Sequence, residues 1–139
     1  MQIKRKAHAE WMGSGKDGTG KISLDSGVLK QTPYSYKTRF ETEPGTNPEE
    51  LIGAAHAGCF SMKLAFVLQE AGITPESINT TATVVLEDGK ITDVILDTKV
   101  KASGLEKANF DSYAMDAKEN CPISKLLNAN ITLNAELIS

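Results

Sequence analysis

Asn47-Pro48-Glu49-Glu50-Leu51-Ile52-Gly53-Ala54-Ala55-His56-Ala57-Gly58-Cys59-Phe60-Ser61-Met62-Lys63-Leu64-Ala65-Phe66-Val67-Leu68 is the stretch that decides the fold. Asn47 is a good N-cap, Pro48 suits the first helical position, and Glu49 and Glu50 complement the positive end of a helix dipole. The pattern stays helical to Ala71, where Gly72 can adopt the left-handed stop and Pro75 follows. Residues 48–71 of such a helix span roughly 36 Å. Apolar or small residues occupy nearly every face, among them Leu51, Ala54, Ala55, Ala57, Cys59, Phe60, Met62, Leu64, Phe66, Val67 and Leu68. A helix that is apolar all round is a buried helix, and a chain of 139 residues has trouble covering one this long. The spacing therefore predicts a partner subunit.

Upstream, Ile3, Arg5, Ala7, Ala9 and Trp11 alternate with mostly polar neighbours and read as a strand with one buried face. The turn Gly13-Ser14-Gly15-Lys16-Asp17-Gly18-Thr19-Gly20 leads to a returning strand over 21–26, which makes a hairpin. A third strand is expected over 34–41, with Tyr34, Tyr36, Thr38 and Phe40 on one face and Arg39 on the other. Downstream, 78–86 and 91–101 alternate on either side of the turn Glu87-Asp88-Gly89-Lys90. Helical spacing follows over 105–119 (Phe110, Tyr113, Ala114, Ala117), then a short helix opened by Cys121-Pro122 and running to about Leu127. An alternating strand over 130–138 closes the chain. The order βββ-α-ββ-αα-β is α+β, with helices on antiparallel sheets, in a single domain spanning residues 1–139.

Composition excludes several classes of function. Hydrophobic residues make up 40% and charged residues 24%, which suits a packed core and argues against disorder. Fifteen Lys+Arg against eighteen Asp+Glu leave a net charge of −3, with no electrostatic footprint for nucleic acid or an anionic membrane. The strongest apolar run, 64–68, is too short to span a bilayer, and the basic start Met1–Lys6 leads into no apolar segment of a secretory signal. A cytoplasmic location is expected. With two cysteines and no export signal, thiol chemistry or simple burial is the question to ask, rather than a structural disulfide.

Cys59 lies within the long helix beside Gly58 and Ala57, small neighbours that would let a backbone or substrate come close. Cys121 stands at a helix start, where the dipole favours a thiolate. Both also read as ordinary residues, a small buried hydrophobe and a cap. Arg39 is either a solvated strand residue or a guanidinium that stabilises a thiolate or grips a carboxylate. Glu50 fits the capping position after Asn47, which leaves Glu49 freer to act. Glu49 and Cys59 are ten positions apart, about 15 Å along a straight helix, so they cannot touch directly. His56 and Cys59 are neighbours at i, i+3: a Cys–His nucleophile pair, as in a hydrolase, is one reading, and a structural or gate-keeping histidine is the other. No metal site is expected, because the second histidine, His8, lies on a distant strand.

Taken together, the run Thr46 to Met62 closely resembles the signature of the osmotically inducible protein C family, whose relatives include the organic hydroperoxide resistance proteins. The resemblance extends to Ser26-Gly27-Val28-Leu29, Thr38-Arg39-Phe40-Glu41, Asn120-Cys121-Pro122-Ile123-Ser124 and Ile131-Thr132-Leu133, and so covers essentially the whole chain. His56 places the sequence nearer the osmotically inducible branch. The resemblance implies an intertwined homodimer with long central helices between sheets and active sites at the subunit interface. It also implies a thiol-dependent peroxidase acting best on organic hydroperoxides, with no metal or organic cofactor. In that scheme Cys59 is peroxidatic and Cys121 resolving, Arg39 lowers the Cys59 pKa and Glu49 orients Arg39, while an external thiol or lipoyl-type dithiol is the reductant. Phe60, Met62, Phe66 and His56 are candidates for an apolar substrate pocket. A redox-sensing or small-ligand module using the same residues without turnover is the alternative.

Overall fold

The computed structural model describes residues 1–138. The chain divides into two compact units, Met1–Leu51 and Ile52–Ser139. In the first, β1 (Ala7–Met12), β2 (Thr19–Leu24) and β3 (Thr32–Tyr34) form an antiparallel sheet in the order β1-β2-β3. Gly20 is required here: a Cβ at this position would collide with the rings of Trp11 and Tyr34, which pack with centroids 5.4 Å apart. The expected buried face of β1 is not found. All six of its residues are exposed, because no apolar layer of this unit covers the strand.

The third strand is a second correction. It ends at Tyr34, and Tyr36–Phe40 form a short helix, α1. Ser35 nucleates the turn by a reciprocal cap: its Oγ accepts from the Thr38 N–H at 3.3 Å, and Thr38 Oγ1 accepts from the Ser35 N–H at 2.8 Å. The aromatic stripe is thus a helical i, i+4 pair, with Tyr36 and Phe40 rings 4.8 Å apart.

The long helix, α2, runs Pro48–Glu70. Asn47 caps it, its Oδ1 accepting from the Glu50 N–H at 2.7 Å, while the Glu50 carboxylate accepts from Thr46 Oγ1 at 3.2 Å. At the far end Gly72 has φ +79°; its N–H bonds Gln69 O at 3.0 Å and Ile73 N–H bonds Leu68 O at 2.9 Å, a Schellman stop. By length and composition α2 could cross a membrane, since an 18-residue window reaches a mean hydropathy of 1.6. Its Phe60, Leu64 and Leu68 are instead fully buried in a protein core.

That core belongs to the second unit. There β4 (Ser77–Glu87), β5 (Lys90–Lys101) and β6 (Asn130–Ile138) form a sheet in the order β4-β5-β6, with α3 at Lys107–Asn120 and α4 at Pro122–Leu126. The β4–β5 turn uses Asp88 and Gly89 at φ +51° and +76°, the two positive values of a type I′ hairpin. Val94, Leu96 and Val100 of β5 meet Phe60, Leu64 and Leu68 of α2 and Phe110, Ala114 and Ala117 of α3, with Cys121 continuing the α3 face. Each large apolar side chain buried there contributes about 1.5–3 kcal/mol. The α+β class stands, but β6 pairs parallel to β5, against the expectation of purely antiparallel sheets. Residues 102–129, holding both α3 and α4, provide the long crossover that parallel pairing demands.

Candidate active site

Two pairs of side chains stand out. In the first unit the Arg39 guanidinium, on α1, grips the Glu49 carboxylate with two parallel bonds, Nε to Oε1 at 2.9 Å and Nη2 to Oε2 at 3.1 Å. This fork leaves three of the five guanidinium N–H donors free. Arg39 lies across the Phe40 ring at 5.3 Å from its centroid. The Glu49 side chain is 12% exposed and that of Arg39 40%, so the carboxylate is fixed and the guanidinium reaches solvent. The bond to Glu49 holds the Arg39 pKa above its ordinary value, against the lesser cost of burial. Asn47 Nδ2 donates to Thr38 O at 3.1 Å, tying the end of α1 to the start of α2 beside this pair.

The second unit brings Cys59 and Cys121 together. Both are free thiols, Cys121 fully buried and Cys59 half-buried, within hydrogen-bonding reach of one another. Burial, and then the bond to Cys121, push the Cys59 thiol above its ordinary pKa; the backbone N–H of Ile123 and the charge of Lys63 pull it down by less. Cys121 ends α3 and precedes α4, and its side chain caps neither helix. Its value to the site is proximity to Cys59.

His56 is fully buried, with Nε2 2.8 Å from Ser124 Oγ and Nδ1 without any partner. Neither ring nitrogen reaches Cys59, so the Cys–His nucleophile pair is not formed. Burial lowers the His56 pKa, which keeps the ring neutral. Of the pocket candidates, Phe60 is a core residue with no exposure, whereas Met62 and Phe66 are 65% and 54% exposed. No cluster of three or more His, Cys, Asp or Glu side chains able to hold a metal occurs among the described residues. Sequence reasoning missed Ser124 and the Ile123 N–H. Both follow Cys121 by one turn or less, and only their nearness to that cysteine could have flagged them.

Residues 41–136 match the family described as OsmC-like protein. Over 143 aligned positions the chain is 50% identical to Peroxiredoxin OsmC of Escherichia coli (strain K12), with all of both proteins covered. It is 32% identical over 122 residues to the organic hydroperoxide resistance protein OhrB of Bacillus subtilis (strain 168), covering 85% of this chain and 88% of that one. The crystal structure of Bacillus subtilis OhrB superposes with a TM-score of 0.65 at 26% identity, over 96% of this chain and 98% of that chain. An OsmC-like protein of Vibrio cholerae gives a TM-score of 0.75 at 19% identity, over 96% and 99%.

Proposed function

The chain belongs to the OsmC-like family and is a thiol peroxidase, and from that premise we propose that it reduces organic hydroperoxides, and hydrogen peroxide more weakly, with Cys59 as the attacking thiol. The observation that carries this reading is the meeting of Cys59 with Cys121, two thiols far apart in sequence. The Cys59 thiolate attacks one oxygen of R–O–O–H, the O–O bond breaks, and the alkoxide leaves to be protonated as the alcohol. Cys59 becomes a sulfenic acid. The Cys121 sulfur then displaces hydroxide, giving the Cys59–Cys121 disulfide and water. An external thiol, best a lipoyl-type dithiol, returns both cysteines to thiols by exchange and leaves as its own disulfide. No metal or organic cofactor enters these steps.

Arg39 supplies what the thiol pair lacks. A thiol pushed up by burial is a poor nucleophile at neutral pH, and a guanidinium with free donors stabilises both the thiolate and the leaving oxygen. Glu49 positions that guanidinium. The acting unit is a single 1–139 domain in a homodimer. In support, Ala55, Gly58, Met62 and Phe66 are exposed along one face of α2, and β1 is exposed along its whole length. Met62 and Phe66 are thereby also available to an alkyl substrate. The setting is cytoplasmic defence against peroxide and osmotic stress.

The test is intact mass and free-thiol count after one equivalent of cumene hydroperoxide, then repeated additions with dihydrolipoamide. A disulfide that forms and is cleared over many cycles is the expected result. Stoichiometric oxidation without cycling would identify a redox sensor instead, and thiols that survive unchanged would overturn the peroxidase mechanism. Light scattering at micromolar concentration checks the dimer.

A further inference from the structure

We propose that His56 and Ser124 form a positioning latch that holds Cys121 in line for attack on oxidised Cys59, and so protects Cys59 from a second oxidation. The proposal rests on the assignment of Cys59 and Cys121 given above. Cys59 and His56 are three residues apart on α2, and Cys121 and Ser124 are three residues apart at the start of α4. On α2 this spacing puts Cys59 and His56 on one face, about 5–6 Å apart at Cβ, while Cys121, the N-cap residue, and Ser124, the third residue of α4, bracket the first-turn face of α4. The two faces meet at two matched points, sulfur to sulfur and imidazole to hydroxyl, the latter at 2.8 Å across 68 positions of sequence. Between these points the backbone N–H of Ile123 lies near enough to the Cys59 sulfur to favour its thiolate.

Helix α4 has five residues and no side-chain cap at Cys121, too short to hold its own position. Its placement comes from tertiary contacts, and the His56–Ser124 bond is a directional one. The ring serves this bond alone. With Nδ1 buried and unpartnered, the tautomer carrying the proton on Nε2 is assigned, because the other would strand an N–H without an acceptor. His56 Nε2–H therefore donates to Ser124 Oγ. A conserved shape without the bond would fill the same space yet leave α4 free to drift from Cys59.

The consequence is kinetic. Cys59 sulfenic acid has two fates: the Cys121 thiol closes the disulfide and releases water, or a second hydroperoxide adds its oxygen, giving sulfinic acid and another alcohol. Loosening α4 slows the first fate and leaves the second unchanged. The experiment treats the wild type, Ser124→Ala, Ser124→Thr, His56→Leu and His56→Gln with excess cumene hydroperoxide. Intact mass then gives the ratio of sulfinate to disulfide, alongside the thermal midpoint of each variant.

The ratio is expected to rise roughly five- to tenfold in Ser124→Ala and His56→Leu, the scale of one lost hydrogen bond expressed in a rate. Ser124→Thr, which keeps the hydroxyl, and His56→Gln, whose amide can donate in place of Nε2–H, are expected to restore most of the wild-type ratio. Lowered thermal midpoints with an unchanged ratio in Ser124→Ala would overturn the latch and leave a structural hydrogen bond. Should His56→Leu fail to fold, the Ser124 pair decides the matter alone. A wild type whose Cys59 takes up no oxygen and forms no disulfide would overturn the peroxidase mechanism itself, a result distinct from an unchanged ratio in an enzyme that cycles.

Discussion

The Arg39–Glu49 pair and the Cys59–Cys121 pair are built in opposite ways. The first is charged, bidentate and open to solvent on its cationic side, with the carboxylate held at the capped start of α2. The second is uncharged and apolar, set among core residues where a thiolate is disfavoured. Neither is a reactive centre by itself. An exposed ion pair oxidises nothing, and a buried thiol with a raised pKa reacts slowly at neutral pH. Under the proposed function this difference is a division of labour: the thiols hold the reducing equivalents and the guanidinium supplies positive charge.

The most direct way to break this comparison is to remove the storage. Cys59→Ser is expected to abolish hydroperoxide consumption entirely, since a serine hydroxyl cannot accept the transferred oxygen as sulfur does. Cys121→Ser should still consume one equivalent and then stall as a sulfenic acid, trapped by a dimedone adduct seen in intact mass. Removing the charge comes next. Arg39→Ala is expected to lower kcat/KM by about 10²–10³-fold, the usual scale for deleting one preorganised donor to a developing charge. Because the thiolate is the reacting form, the rate rises with pH through the Cys59 pKa. Should Arg39 stabilise the thiolate as proposed, that inflection moves to higher pH in Arg39→Ala. A pH–rate profile for both proteins checks the direction, and an unmoved inflection would detach Arg39 from the thiolate.

Glu49→Gln sharpens the comparison, because it keeps the shape of the fork while removing its charge. A loss of about tenfold is expected, smaller than that for Arg39→Ala, since the guanidinium remains but is less well aimed. Stopped-flow oxidation of the reduced protein separates this from any effect on the later disulfide step.

The two regions were also unequally legible in the sequence. α2 was readable end to end because its signals are local: Asn47 and Pro48 at one boundary, Gly72 at the other, and apolar residues between. α1 was misread because Tyr34, Tyr36, Thr38 and Phe40 fit a period of two, while Tyr36 and Phe40 fit a helical spacing equally well. Five residues are too few to separate the periods, and the cap between Ser35 and Thr38 was the signal that settles it. The direction of β6 was missed because alternation is blind to strand polarity. The length of the two-helix connection before it carried that information. Cys59, Cys121, Arg39 and Glu49 were each legible as candidates from their local setting, but their roles in one reaction came only with the family resemblance, and Ser124 was not singled out, since no local rule links it to His56.

The smallest expected effect lies at His56 and concerns stability. Its pKa is lowered in the folded protein by burial, so the unfolded chain takes up a proton more readily than the folded one. Above the ordinary histidine value of about 6.5 both states are neutral, and His56 imposes no penalty. As pH falls below that value the unfolded state gains a proton that the folded state refuses, and stability declines by at most about 1.4 kcal/mol per pH unit from this group. His56→Gln has no proton to gain in that range. Urea unfolding midpoints at pH 7 and pH 5 should therefore fall more for the wild type than for His56→Gln. Equal declines would mean that the ring accepts its proton while folded, and that the core around α2 is more open to water than its full burial implies.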